Sequence, residues 1–321
     1  MDSHTLAVRV AKITQKTADI SAFELVHPDG LPLPSFEAGA HIDVQTPGGL
    51  VRQYSLCNAP GEVHRYRIGV LHDPGSRGGS RAMHQQLQAG DLLGISAPRN
   101  HFRLEPSAQV SLLFAGGIGI TPILCMAHAL RSAGKAFTLH YCARSRERAA
   151  FLDELAGQQQ AGDVRLHFDD LGAEQKLRLE QAIPPPQAGT HLYVCGPRPF
   201  MDAVLGQARD GGWPEAQLHY EFFKADVPTE RPEKAFMVQI ASSGRMVPVA
   251  AHETVLQALA SVGIAIESSC EQGVCGTCLT GVLAGEPDHR DSYLVAAEQQ
   301  KNDQFLPCCS RARSEVLVLD L

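Results

Sequence analysis

Hydrophobic and polar residues alternate from the start of the chain, and the period of that pattern changes twice before the end. Leu6-Ala7-Val8-Arg9-Val10 and Ile20-Ser21-Ala22-Phe23-Glu24-Leu25 repeat every two residues, which predicts strands with one buried face. Turns at Pro28-Asp29-Gly30 and Pro47-Gly48-Gly49 punctuate the pattern. Several short strands at such spacing predict a closed antiparallel barrel. Helical spacing is first met at residues 80–87.

From about Leu104 the pattern is that of an α/β segment. Residues 110–115 form an uninterrupted apolar run, as a strand covered on both faces requires, and a helix follows over 123–132. Strands at 137–142, 164–168 and 191–195 alternate with helices through 151–155 and 198–208, so a parallel sheet is expected. The period then returns to two. Phe236-Met237-Val238-Gln239-Ile240 and Met246-Val247-Pro248-Val249 flank a Ser242-Ser243-Gly244-Arg245 turn, 253–259 is helical, and 281–283 and 315–319 complete a small α+β unit. Residues 224–234 are polar, contain proline and lack apolar periodicity; they read as a linker. The chain is therefore expected to be multidomain, with a β-barrel at 1–103, an α/β parallel-sheet domain at 104–225, a linker at 226–235 and an α+β, β-grasp-like domain at 236–321.

Length and composition agree with that division: 321 residues exceed one small core, and 44% hydrophobic with 20% charged residues is ordinary for a globular chain. The N-terminus shows no basic and apolar export pattern, and no apolar run approaches a membrane span. A cytoplasmic protein without a membrane partner is expected. The net charge of −7 argues against nucleic-acid binding. Its distribution is uneven, since residues 236–321 hold five Lys and Arg against ten Asp and Glu, or −5 of the −7. Such a surface is either simply solvated or a docking face for a more basic redox partner.

The acidic segment also holds the chain's most specific motif, Cys270-x4-Cys275-x2-Cys278 with a distant Cys308. This is the plant-type [2Fe–2S] spacing, in which four thiolates hold two irons. Cys275, Gly276 and Cys278 form a tight loop whose small residues let the backbone wrap closely around such a cluster. A structural zinc, drawing on Cys309 or His289, and unligated thiols are the alternatives. Disulfides are disfavoured by the odd total of nine cysteines. Cys308 is taken as the fourth ligand, with Cys309 beside it as the other choice.

Three further patterns carry candidate chemistry. On a barrel strand, Arg52 and Tyr54 share a face where a guanidinium can pair with a phosphate and a phenol can border a planar ring, with Ser55 beside them; both are equally at home in structural roles. Ser76-Arg77-Gly78-Gly79-Ser80 opens a helix as a phosphate seat or as a plain serine cap. In the α/β segment, Gly116-Gly117-Ile118-Gly119-Ile120-Thr121-Pro122 joins a strand to a helix, where glycines admit a pyrophosphate to the helix N-terminus. Arg144 and Arg146 follow the next strand, where arginines favour a ribose 2′-phosphate or are merely solvated. Cys195-Gly196-Pro197 ends a strand on the edge where open α/β sheets bind ligands.

In their order along the whole chain, R-x-Y-S, G-G-S, G-G-I-G-I-T-P, C-G-P and C-x4-C-x2-C…C resemble the phthalate dioxygenase reductase family. Asp288-His289-Arg290-Asp291 and Cys308-Cys309-Ser310-Arg311-Ala312-Arg313 look like its vanillate O-demethylase reductase branch. The resemblance implies an FMN domain, an NAD domain and a plant-type ferredoxin domain, in that order. It implies FMN held by Arg52, Tyr54, Ser55, Gly79 and Ser80, with Phe223, or its neighbour Phe222, covering the flavin ring. The nucleotide loop would be Gly116, Gly117, Gly119, Thr121 and Pro122, with Arg144 near the ribose and Cys195, Gly196 and Pro197 at the nicotinamide. Ser55, Cys195 and Phe223 are thereby the candidate catalytic residues, and Cys270, Cys275, Cys278 and Cys308 the metal ligands. The implied function is a monomeric NAD(P)H-dependent oxidoreductase, using NADH with NADPH possible, that feeds a Rieske-type oxygenase acting on an aromatic acid. The rival readings are a non-aromatic, carnitine-type monooxygenase partner and a non-catalytic ferredoxin-like carrier.

Overall fold

Alternation in the first hundred residues becomes one antiparallel sheet in the computed structural model, which describes residues 5–75, 78–160, 164–223 and 234–321. Strands β1 (Thr5–Gln15), β2 (Ile20–Val26), β3 (His41–Gln45), β4 (Val51–Ser55), β5 (Tyr66–Leu71) and β6 (Leu92–Ser96) lie in the order β4-β3-β6-β1-β2-β5. A bridge between Leu56 and Ile68 joins the two ends of that row, so the sheet curls round a core of Val8, Phe23, Leu25, Ile42, Leu56 and Ile68. β1 runs past the alternation expected at 6–10, through a bulge between Val10 and Lys12 that re-registers it on β2. One helix, α1 (Gly79–Gln86), packs against this barrel.

The continuous apolar runs become a five-stranded, all-parallel sheet. β7 (Val110–Gly116), β8 (Ala136–Ala143), β9 (Val164–Phe168), β10 (Thr190–Cys195) and β11 (Leu218–Glu221) are ordered β11-β10-β7-β8-β9, with the order turning back at β7 and β10. Helices α2 (Ile120–Ser132), α3 (Leu152–Gln160), α4 (Leu179–Ala182) and α5 (Arg198–Asp210) connect the strands. α2 starts three residues earlier than its periodicity predicts, because Pro122 sits in the first turn, where its missing N–H leaves no intrahelical bond unmade. Phe151 precedes α3 with φ +62°, an unfavourable conformation for a bulky residue. Its buried ring is flanked by Lys16, just past the end of β1, at 5.3 Å and by Arg67 of β5 at 5.5 Å. The barrel and the parallel sheet together form one compact unit ending at Glu221.

A second unit begins at Phe222. Its sheet places β12 (Phe236–Ile240), β13 (Met246–Val249), β14 (Thr280–Ala284), β16 (Gln304–Phe305) and β18 (Val316–Leu319) in the order β13-β12-β18-β14-β16, and β15 (Pro287–Asp288) pairs separately with β17 (Arg311–Ala312). The predicted hairpin is β12–β13. Helix α6 (Val255–Ser261) is fixed by a reciprocal capping box between Thr254 and Gln257; a four-residue turn, α7 (Ala296–Gln299), lies beyond it. Residues 226–233 of the expected linker, with Ser76 and Arg77 of the expected phosphate seat, lie outside the described residues. No helix among the described residues is long and apolar enough to cross a membrane.

Candidate functional site

On β4, Arg52 and Ser55 are buried and Tyr54 is half-buried. Register sets Arg52 opposite Val44, Tyr54 opposite Ile42 and Ser55 opposite His41. The Arg52 side chain reaches the start of α1, where a Cβ on Gly79 would lie 2.8 Å from its Cγ and 2.9 Å from its Nε. Glycine is what admits the arginine stem there. The helix is not capped by Ser80. Its cap is Gly78, at φ 105°, and the buried Ser80 hydroxyl instead accepts the N–H of Asp73 at 3.3 Å. A cation, a helix N-terminus and a hydroxyl thus meet in one place, which fits a phosphate group. Tyr54's phenol is pushed up by burial, against the pull of the Arg52 charge.

The glycine loop and the Cys195-Gly196-Pro197 edge, which sequence spacing keeps about eighty residues apart, are neighbours. Register pairs Ala115 with Cys195 across β7 and β10. A Cβ on Gly119 would stand 2.3 Å from the Cys195 carbonyl oxygen, and one on Gly116 would stand 2.9 Å from Pro197 and Phe200. Gly117, at φ +53°, has open space where its side chain would be. The Thr121 hydroxyl donates to the Ile118 carbonyl at 3.0 Å, closing the turn, while its methyl packs on Gly69 of β5. Pro122 is buried in α2. The loop therefore presents bare backbone at a strand edge where the sheet order turns back, the position at which doubly wound folds take nucleotides. Arg144 and Arg146 are exposed just beyond β8. Cys195 is buried and its thiol is held well above the ordinary range by burial and by Glu221.

Glu221 was not singled out from sequence, and it joins the two halves of the unit. It is paired with Cys195 in the sheet and bonded to the Ser55 hydroxyl on the barrel. Only 17% of its side chain is exposed, and its carboxyl is raised to about 8 by burial, partly offset by Ser55. His41 Nδ1 stands 3.9 Å from its Oε1. Among the described residues neither His41 Nδ1 nor Glu221 Oε2 has a hydrogen-bond partner. The sequence signal was available: in Leu218-His219-Tyr220-Glu221-Phe222-Phe223 an acid interrupts apolar residues at the C-terminal end of a parallel strand. Phe222 and Phe223 follow directly and are half-buried.

In the second unit the four motif cysteines are all buried. They meet as two pairs, Cys270 with Cys275 and Cys278 with Cys308. Among the described residues no three Cys, His, Asp or Glu side chains converge on one point. Two pairs suit two irons bridged by sulfide, whereas a zinc would draw four ligands to a single centre. Backbone turns at Glu271, Gly273 and Gly276 have φ of 50°, 72° and 72°, and they aim N–H groups of Gln272 and Val274 at Cys270, Thr277 at Cys275 and Gly273 at Cys308. That cradle fits a cluster whose sulfurs accept hydrogen bonds. The neighbouring Cys270 thiol and Thr277 lower Cys275, while Cys270 itself is raised. Cys309 is only half-buried and its sulfur lies 3.8 Å from the Leu306 carbonyl. His289, the alternative zinc ligand, stands 3.6 Å from Asp291, and both its ring nitrogens are without hydrogen-bond partners among the described residues. Tyr293 covers Gly276, where a Cβ would fall 2.2 Å from its ring.

Residues 238–313 match the family model of the 2Fe-2S iron-sulfur cluster binding domain. Residues 96–218 match that of the N-terminal domain of dimethylamine monooxygenase subunit DmmA-like proteins. The chain is 54% identical over 303 residues to vanillate O-demethylase oxidoreductase of Pseudomonas sp. strain HR199, covering 94% of this chain and 96% of that one. It is 41% identical over 322 residues to the phthalate 4,5-dioxygenase oxygenase reductase subunit of Pseudomonas putida, covering 100% and 98%. A solved structure of phthalate dioxygenase reductase, described as a modular structure for electron transfer from pyridine nucleotides to [2Fe-2S], superposes with a TM-score of 0.82 at 39% identity, covering 99% of this chain and 98% of that one.

Proposed function

The chain belongs to the phthalate dioxygenase reductase family, and from that premise we propose how its residues divide the work of moving electrons. It is an oxidoreductase, the reductase component of an aromatic-acid oxygenase system. Residues 1–103 hold FMN, 104–225 hold NADH, 226–235 link, and 236–321 hold the [2Fe–2S] cluster. The partner is the oxygenase component. A vanillate-type O-demethylase is the first candidate, given the identity to its reductases, and the chain is taken to act as a cytoplasmic monomer.

When bound, the flavin takes a hydride from the nicotinamide and the cluster takes electrons one at a time. Arg52, Gly79 and Ser80 hold the flavin phosphate, and Tyr54 borders the ring. Gly116, Gly117 and Gly119 admit the pyrophosphate to the start of α2, with Thr121 and Pro122 fixing the turn. Cys195, Gly196 and Pro197 form the floor under the nicotinamide. Ser55 holds Glu221 at the point where barrel and sheet meet. Cys270 and Cys275 hold one iron, and Cys278 and Cys308 the other. Arg144 faces the ribose.

The observation that carries this reading is the two-and-two meeting of four buried thiols beneath aimed N–H groups. An absorption spectrum of the purified protein tests it: flavin bands over a broad cluster band are expected, and a spectrum lacking either would contradict it.

A further inference from the structure

Glu221 and His41 are two titratable groups that face each other where barrel and sheet meet, and the residues already assigned leave His41 without a task. His41 sits on β3 with 6% of its side chain exposed, its Nδ1 3.9 Å from Glu221 Oε1. Nδ1 is buried without a hydrogen-bond partner among the described residues, as is Oε2 of Glu221. Buried polar atoms are nearly always paired, so an unpartnered ring nitrogen 3.9 Å from a carboxyl whose other oxygen is also unpartnered points to a group or a proton that passes between the two side chains.

Electron balance supplies the proton. NADH gives two electrons and one proton when it becomes NAD+, and iron takes only electrons, so one H+ per NADH must leave the site. Ser55 and Glu221 border the place proposed for the reacting rings. We propose that His41 is the relay by which this proton leaves: the Glu221 O–H breaks and an N–H forms at His41 Nδ1, His41 then releases a proton towards solvent, and the Ser55 O–H passes its proton to the Glu221 carboxylate as the Ser55 oxygen takes up the NADH-derived proton. The inference rests on the functional reading above.

The surroundings of His41 suit a relay rather than a store. Arg99 is bridged to it through both backbone N–H groups, and the exposed His101 ring lies beside it, tilted by 31° with ring centroids 5.6 Å apart. Gln53 Nε2 approaches its Nε2 at 3.4 Å and also donates to Asp43. Burial, then Arg99 and His101, lower His41 to about 4, against Asp43. A charged His41 is therefore short-lived, and a proton arriving there is passed on. Glu221, raised to about 8 by burial against the opposing Ser55 hydrogen bond, keeps its proton at neutral pH and can donate it. His101 is the first exposed titratable ring beyond it.

The test mixes FMN-loaded protein with NADH and excess cytochrome c in weak buffer, and follows flavin absorbance and a pH-indicator dye in the same trace. In the wild type, proton release should keep pace with flavin reoxidation. In His41→Gln, which cannot titrate, release should lag reoxidation by about 10²-fold, the scale of a lost acid–base group. Release in step with reoxidation in that variant overturns the relay. Infrared spectroscopy of the resting protein adds a readout independent of turnover. The carbonyl band of protonated Glu221, identified by its loss in Glu221→Gln, should shift in His41→Gln, and an unmoved band overturns the contact. If His41→Gln does not fold, His101→Gln at the exposed ring should show a smaller lag, and no lag overturns the path. Failure of NADH to bleach the flavin in the wild type would instead overturn the functional reading.

Discussion

The Cα of Gly119 lies so close to Cys195 that any side chain there would press on the Cys195 carbonyl oxygen, at 2.3 Å from the added Cβ. Backbone cannot yield as a side-chain tip can, so Gly119→Ala should part the loop from the strand edge. We expect the KM for NADH to rise about tenfold or more, the scale of a small misplacement in a binding site, with flavin content retained. Steady-state kinetics with flavin quantification checks this, and loss of flavin as well would tie Gly119 to the barrel instead.

Arg52→Ala removes the cation beside the N-terminus of α1 and opens a space against Gly79. A charge-assisted bond to phosphate contributes about 1.5–3 kcal/mol, so flavin affinity should fall roughly ten- to hundredfold. Fluorescence titration of the flavin-free protein measures it. Full affinity in the variant would remove Arg52 from the site.

Glu221 makes stability fall with rising pH. Its carboxyl ionises near 4.5 in the unfolded chain but only near 8 in the fold, because burial disfavours the charge. Below 4.5 both states are protonated and nothing is lost. Between 4.5 and 8 only the unfolded chain ionises, so stability declines through that window and the full cost is present above it. Glu221→Gln should therefore gain on the wild type from pH 5 to pH 9, by at most about 1.4 kcal/mol per pH unit. Urea unfolding at the two pH values reads the difference; a constant gap would place the Glu221 titration outside that window.

Much of this was legible in the chain because it is local. Continuous apolar runs gave the parallel strands, and Cys270-x4-Cys275-x2-Cys278 carries its chemistry in its spacing. The start of α2 was misjudged because Pro122 breaks a periodicity count while being harmless in a first turn. Of the two roles open to Ser80, the plain cap falls away, because Gly78 takes it and the hydroxyl turns to Asp73. Strands β3, β5 and β6 were not located individually, since alternation over five or six residues is a weak signal. The pairing of Glu221 with Ser55 and His41 could not be read at all, for it depends on how the barrel meets the parallel sheet, and no local pattern encodes that.

Arg144 lies exposed at the end of β8, where the adenosine ribose is expected. If it pairs with a 2′-phosphate, Arg144→Ala should raise the KM for NADPH about tenfold and change that for NADH little. Equal effects on both nucleotides would assign it to the shared pyrophosphate or to the surface.

The central claim is that electrons pass from nicotinamide to flavin and only then to iron. Cys275→Ser tests it most directly, because Cys275 belongs to one thiol pair and to no part of the first unit. Anaerobic mixing with NADH, followed by reduction of cytochrome c, should show flavin bleaching at the wild-type rate and electron delivery lost. Loss of both, or cytochrome c reduction undiminished, would contradict the order proposed.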